Sequence, residues 1–163
     1  MNRRDFFTVT VCSVAAICHA ENAPLRKIED AYETIFTVQR HFFPKGLEMP
    51  DADSFGASDY FKEAINHKSF DPDIRELLFK GAVKLQELAG GKFESLSFQK
   101  REDLLREFEK DEYGGYWLVQ LMNITLEALL GDPIYGGNKN EAGWKSFTLK
   151  SGIPRPKERY CGV

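Results

Sequence analysis

DPDIRELLFKGAVKLQELAGG, residues Asp71 to Gly91, carries every signal of one amphipathic helix. Asp71 offers a side-chain acceptor to the first free backbone N–H groups, and Pro72 stands in the first turn, where its missing N–H costs nothing. Ile74, Leu77, Leu78, Gly81, Leu85 and Leu88 follow at spacings that gather them on one face. Gly90 and Gly91 close the helix. Gly81 in its middle costs about 1 kcal/mol relative to alanine. It predicts either the close approach of a second helix or a tolerated accident.

The same reading extends in both directions. Toward the N-terminus, Ile28, Ala31, Ile35, Val38 and Phe42 form one apolar face that stops at Pro44. Lys45 to Ala57 is rich in Gly, Pro and Asp and reads as a loop, after which Ser58 is placed to cap a short helix through Tyr60, Phe61, Ala64 and Ile65. Toward the C-terminus, Ser97 caps a helix with Phe98, Leu104, Leu105 and Phe108 on one side. Its other side, within QKREDLLREFEKDE, is a solvated face with i,i+4 charge pairs. Gly114-Gly115 then break the chain, and Tyr116 to Leu130 form a helix of low charge, fit for the centre of a bundle. No strand-like alternation is sustained. The fold class is all-α: a roughly five-helix bundle, spanning residues 25–163, with a long ordered C-terminal loop extension.

That extension is DPIYGGNKNEAGW, Asp132 to Trp144. Pro133 biases Asp132 away from helix, and Gly136, Gly137 and Asn138 tolerate backbone angles closed to most residues. Tyr135 and Trp144 give the loop apolar area with which to be pinned. Either they staple it onto this domain's own helices, with Asn138 satisfying backbone groups, or they anchor it on a partner. The tail that follows, residues 151–163, is Pro-rich and basic, and either extends along a partner or frays.

DP-x-YGGN, followed after four residues by Gly143-Trp144, resembles the signature of the gluconate 2-dehydrogenase subunit 3 (small subunit) family. An RRDFF leader (Arg3 to Phe7), a first helix ending in HFFP and the helix FKGAVKLQELA agree with it. The likeness covers roughly Ile28 to Trp144. The resemblance implies a complex with a large FAD-binding dehydrogenase subunit and a multihaem c-type cytochrome subunit. FAD and haem c thus belong to partners and no cofactor to this chain. It carries no catalytic residues over. If the loop docks on a partner, the docking residues are Asp132, Pro133, Tyr135, Gly136, Gly137, Asn138, Gly143 and Trp144.

The N-terminus, residues 1–20, reads as a secretory leader: Arg3-Arg4, then Asp5-Phe6-Phe7, then an apolar run ending at Ala20. Its arginine pair followed by a hydrophobic residue resembles the twin-arginine export motif, whose machinery would be a further partner. An ordinary Sec signal is the alternative. By the resemblance the protein is periplasmic, held at the inner membrane through its complex. Cys12 and Cys18 leave with the leader, so the mature chain keeps only Cys161, either a free thiol or an intersubunit one.

Composition sets outer bounds. The 163 residues fit one domain, and 42% hydrophobic with 29% charged content is that of a globular protein. A net charge of −3 provides no footprint for nucleic acid. Thirteen Phe fill a core or line a partner surface. Gly-x-Gly occurs nowhere, so the dinucleotide fingerprint is missing, as are C-x-x-C-H, H-E-x-x-H and the P-loop. His41 is either a proton carrier beside a partner's active site or a helix C-terminal residue facing the dipole. Asp51, Asp53, Asp71 and Asp73 lack the spacing of an EF-hand loop, and helix capping and solvation account for them better. What the resemblance implies is a non-catalytic subunit serving assembly, stability and co-export of a flavoprotein. The alternatives are a free-standing periplasmic helical binding or chaperone protein, or an enzyme using an acid such as Asp132.

Overall fold

The computed structural model describes residues 28–150 and 152–159, and no strand occurs among them. Seven α-helices follow one another: α1 (28–42), α2 (Ala52–Phe55), α3 (Ala57–Asn66), α4 (Pro72–Leu88), α5 (Phe98–Glu109), α6 (Glu112–Leu130) and α7 (Ala142–Ser146). The five long ones are those the periodicity predicts. The chain is all-α.

Asp71 accepts from the backbone N–H of Asp73 and Ile74 at 2.8 and 3.3 Å, and Ser97 accepts from Lys100 at 3.4 Å, so α4 and α5 begin where their caps predict. Three boundaries differ. Within the expected loop 45–57, Asp51 caps the short helix α2 through the N–H of Ser54. Ser58 does not cap α3; Gly56, at φ 80°, ends α2 and starts α3 in one residue. Gly114-Gly115 do not break the chain but lie in the first turn of α6. A Cβ on Gly114 would stand 1.9 Å from the Phe108 carbonyl oxygen, so this glycine marks a tight α5–α6 corner. The break itself falls at Lys110-Asp111, one short turn earlier.

Gly81 reports a close approach. Its missing Cβ leaves room for the indole of Trp117, whose Cδ1 would lie 2.1 Å from it. The Trp117 indole N–H donates to the Leu78 carbonyl at 2.8 Å, and the ring meets Phe108 edge-on at 5.7 Å. One glycine and one tryptophan thus set the spacing of α4 and α6.

α6 packs against α2, α3, α4, α5 and α7, in keeping with its low charge. It is not the most enclosed helix. In α1, the six consecutive residues Thr34 to Gln39 are all buried, so its core stretch meets neighbours on every side. Polar residues there bond inside the bundle: Gln86 donates to Asp30 O and Thr34 Oγ1, and Gln39 donates to Thr125 Oγ1 at 3.1 Å, while Gln39 Oε1 is buried with no partner among the described residues. One face of α6, by contrast, stays open, with Tyr116, Val119, Leu126 and Leu130 exposed.

Candidate functional site

Two features of the chain's surface combine unusual residues with specific geometry: the loop after α6, and a cleft beside His41. The loop solves a problem α6 creates. The last carbonyls of a helix have no partner within it. Here the Asn138 backbone N–H donates to Ala128 O at 2.5 Å, the Asn138 side-chain amide to Gly131 O at 2.9 Å, and the Trp144 indole to Leu130 O at 2.6 Å. Asn138 is fully buried at φ 44°, and its side-chain oxygen also accepts from the N–H of Gly143 at 2.9 Å. Among residues that carry a side chain, asparagine reaches this backbone region at low cost, and it presents a donor and an acceptor together.

The remaining glycines allow the approach. A Cβ on Gly137 would lie 2.4 Å from Ala128 O, and one on Gly143 would lie 2.0 Å from Leu129 O. Gly136 turns the chain at φ 95° after a 3₁₀ turn, Pro133–Tyr135, that Asp132 caps through the N–H of Ile134. Tyr135 and Trp144 are half-buried. The structure thus brings Asp132, Pro133, Tyr135, Gly136, Gly137, Asn138, Gly143 and Trp144 together as one unit, its inner side fastened to this domain's own α6. The predicted loop also contains a 3₁₀ turn, Lys139–Glu141, and the start of α7.

The tail does not fray at Arg155. Its guanidinium makes two bonds to the Asp132 carboxylate, at 3.0 and 3.2 Å, and one to Glu141 at 2.8 Å, and lies 5.2 Å from the centre of the Trp144 ring. Arg159 pairs with Glu63. Sequence reasoning missed this strap. The basic character of the tail and the acids flanking the loop were the available signal, but their pairing is non-local. The Arg155 guanidinium holds the Asp132 carboxyl below the usual carboxylate range. A lowered folded-state value adds stability above the ordinary pKa of about 3.9, and that stability is lost as pH falls through the folded value. The side chain of Arg155 is 42% exposed, so the effect on global stability is small. Acidification below about pH 4 is expected to release the tail before the bundle unfolds. The Trp144 indole N–H resonance should then shift while that of Trp117 stays; unchanged Trp144 at low pH would contradict the strap.

The cleft lies between α1, α5 and α6, about 540 Å³ in volume, lined among others by His41, Glu102, Arg106, Val119 and Met122. The His41 ring is only 4% exposed, stacked on Phe98 at 4.3 Å, with Nε2 2.7 Å from Glu102. The bonds from His41 and then Arg106 hold the Glu102 carboxyl below its usual range. An ionised carboxylate only accepts, so Nε2 carries the hydrogen. Nδ1 is buried with no hydrogen-bond partner among the described residues. His41 does stand at the C-terminal end of α1, where the dipole favours it, but the Glu102 partner was not legible from sequence. Glu102 belongs to the expected solvated charge run, and the Arg106–Glu102 pair there is as that run predicts.

Asp51 and Asp71 cap helices and Asp53 pairs with Arg40, so these acids have structural roles. Among the described residues no cluster of three or more metal-ligating side chains occurs, and no helix is long and apolar enough to cross a membrane. Arg3, Arg4 and Cys161 lie outside the described residues.

Comparison with known proteins identifies the chain. The family model described as gluconate 2-dehydrogenase subunit 3 matches residues 29–149, from the second residue of α1 through the whole C-terminal loop. The chain belongs to this family, whose description is that of a subunit of a dehydrogenase. Neither the curated proteins nor the solved structures provide a match.

Proposed function

We propose that this chain is the exported, non-catalytic small subunit of a membrane-associated, FAD-dependent sugar or sugar-acid dehydrogenase complex. Its role is assembly, stability and co-export of the flavoprotein subunit. The family match over residues 29–149 is the observation that carries this reading. The large subunit oxidises a substrate hydroxyl at its flavin, and electrons pass to a c-type cytochrome subunit. The complex sits on the periplasmic side of the inner membrane. The small subunit contributes surface, including the loop from Asp132 to Trp144, where Tyr135 and Trp144 stay half-buried. The substrate is set by the flavin pocket of another chain.

The decisive experiment is affinity purification of the tagged chain from its host, with flavin and haem absorbance read in the eluate. Recovery of a flavoprotein is expected, and its consistent absence would refute the assignment. Export supplies a second prediction. Replacing both Arg3 and Arg4 with lysine should leave unprocessed protein, and the flavoprotein with it, in the cytoplasm. Normal periplasmic levels of that variant would leave an ordinary Sec signal in place of twin-arginine export.

A further inference from the structure

One face of α6 is largely apolar and open to solvent. Tyr116, Val119, Leu126 and Leu130 are 50, 54, 37 and 39% exposed. With Asn123 they are spaced by three, four, three and four residues, which places all five on one side of the helix over about 21 Å. Four exposed apolar side chains in one such row mark an interaction surface more than scattered single ones do. Both ends of the row lead into features already described. Val119 and Asn123 also line the His41 cleft. Asn123, Leu126 and Leu130 line a shallow depression that reaches Tyr60 and Tyr135, so the row runs on into the C-terminal loop.

Two further observations define what would lie on it. The rim is acidic: Glu102, Glu109 and Glu127 stand beside the groove, against the single cation Arg106, which is already paired with both Glu102 and Glu109. At the cleft end stands the His41–Glu102 pair, already joined through Nε2, so the apolar row and not a free polar group is what the groove offers. A small molecule would favour a closed pocket, and this cleft opens along its length into the row. A row of four helical turns with charged edges instead matches the apolar face of another helix, seated as a helix in a groove.

We propose that the open face of α6 is the seat for an amphipathic helix of the dehydrogenase subunit. Its apolar side chains cover Val119, Leu126 and Leu130, and its flanking lysines or arginines face Glu109 and Glu127. The inference rests on the proposed function and adds where the partner sits and what chemistry it presents. It makes the His41 cleft, the α6 row and Tyr135 one continuous surface.

The test uses the full chain co-expressed with the dehydrogenase subunit. Val119→Asp combined with Leu126→Asp should weaken the complex at least tenfold while leaving the circular dichroism and Tm of the isolated chain nearly unchanged. Glu109→Lys with Glu127→Lys should weaken it further at low salt than at high salt. A photo-cross-linking side chain at Asn123 supplies a readout that does not depend on the stability of the aspartate variant. It should capture the dehydrogenase subunit, whereas the same group at Glu76 on α4 should not. Wild-type affinity in the double aspartate variant, or capture at Asn123 of a second copy of this chain or of the cytochrome, would overturn this placement and leave the proposed function standing. Failure of the wild-type chain to bind the dehydrogenase subunit at all would overturn both.

Discussion

Trp117→Ala is expected to remove about 3–5 kcal/mol of stability, the range for deleting a large buried aromatic. The residue is fully buried between α4 and α6, where its ring fills the space left by Gly81. Truncation opens a cavity between two helices and also removes the hydrogen bond to Leu78 O. For a chain of this length that loss corresponds to a fall in Tm on the order of 10 °C. Trp117→Phe should cost much less, since it keeps most of the apolar volume and gives up one hydrogen bond of about 1 kcal/mol. Urea denaturation of the two variants checks both figures. An alanine variant that unfolds within a degree or two of the parent would show that Trp117 does not wedge α4 against α6.

Asn138→Ala should be nearly as damaging, through polar groups in place of volume. The substitution leaves the carbonyl of Gly131 and the N–H of Gly143 without their partners in a buried site. A buried unsatisfied group costs about 1–3 kcal/mol, and alanine at φ 44° adds about 1 kcal/mol of backbone strain. Gly131 is half-buried and its carbonyl can turn to water, so the full cost falls on the buried Gly143 N–H, and the expected total is about 2–4 kcal/mol. Asn138→Asp is the informative companion. It keeps the acceptor for Gly143 but turns a negative oxygen toward the Gly131 carbonyl, so it should also destabilise. A glycine in its place relieves the strain and still loses both bonds. Hydrogen exchange along the C-terminal half of α6 is the measurement, because the carbonyls of Ala128, Leu130 and Gly131 are the ones the loop satisfies. Unaltered protection there in Asn138→Ala would mean that the loop is held by other contacts.

The consequence for function follows from the same geometry. Tyr135 and Trp144 lie on either side of Asn138, and Arg155 covers Trp144 from the tail. A partner that engages the loop engages a surface whose shape is set by the end of α6. Damage to Asn138 should therefore weaken the complex and the isolated chain together, whereas damage to the exposed row on α6 should separate the two.

Local patterns determined much of this protein. The five long helices, the all-α class, the caps Asp71 and Ser97 and the glycine stop after α4 all depend on residues within a turn or two of each other, and periodicity reads such relations directly. The family was legible too, because its signature is a contiguous loop. Where sequence reading placed a boundary wrongly, backbone geometry that residue types alone leave open had decided it. Gly114-Gly115 look like a helix break until the Phe108 carbonyl comes within van der Waals reach, and Gly56 serves two helices because its φ of 80° ends one and starts the next. Gly81 announced a close approach without naming Trp117. The pairs His41–Glu102 and Arg155–Asp132 span 61 and 23 residues, and no local spacing rule joins residues that far apart. Sequence periodicity fixes which face of a helix is apolar, but only the packed bundle determines whether that face is covered. For α6 the bundle covers the side bearing Trp117, Leu121 and Leu129 and leaves the side bearing Val119, Leu126 and Leu130 to water, since α2, α3, α4, α5 and α7 all pack against the other side of the helix or its ends.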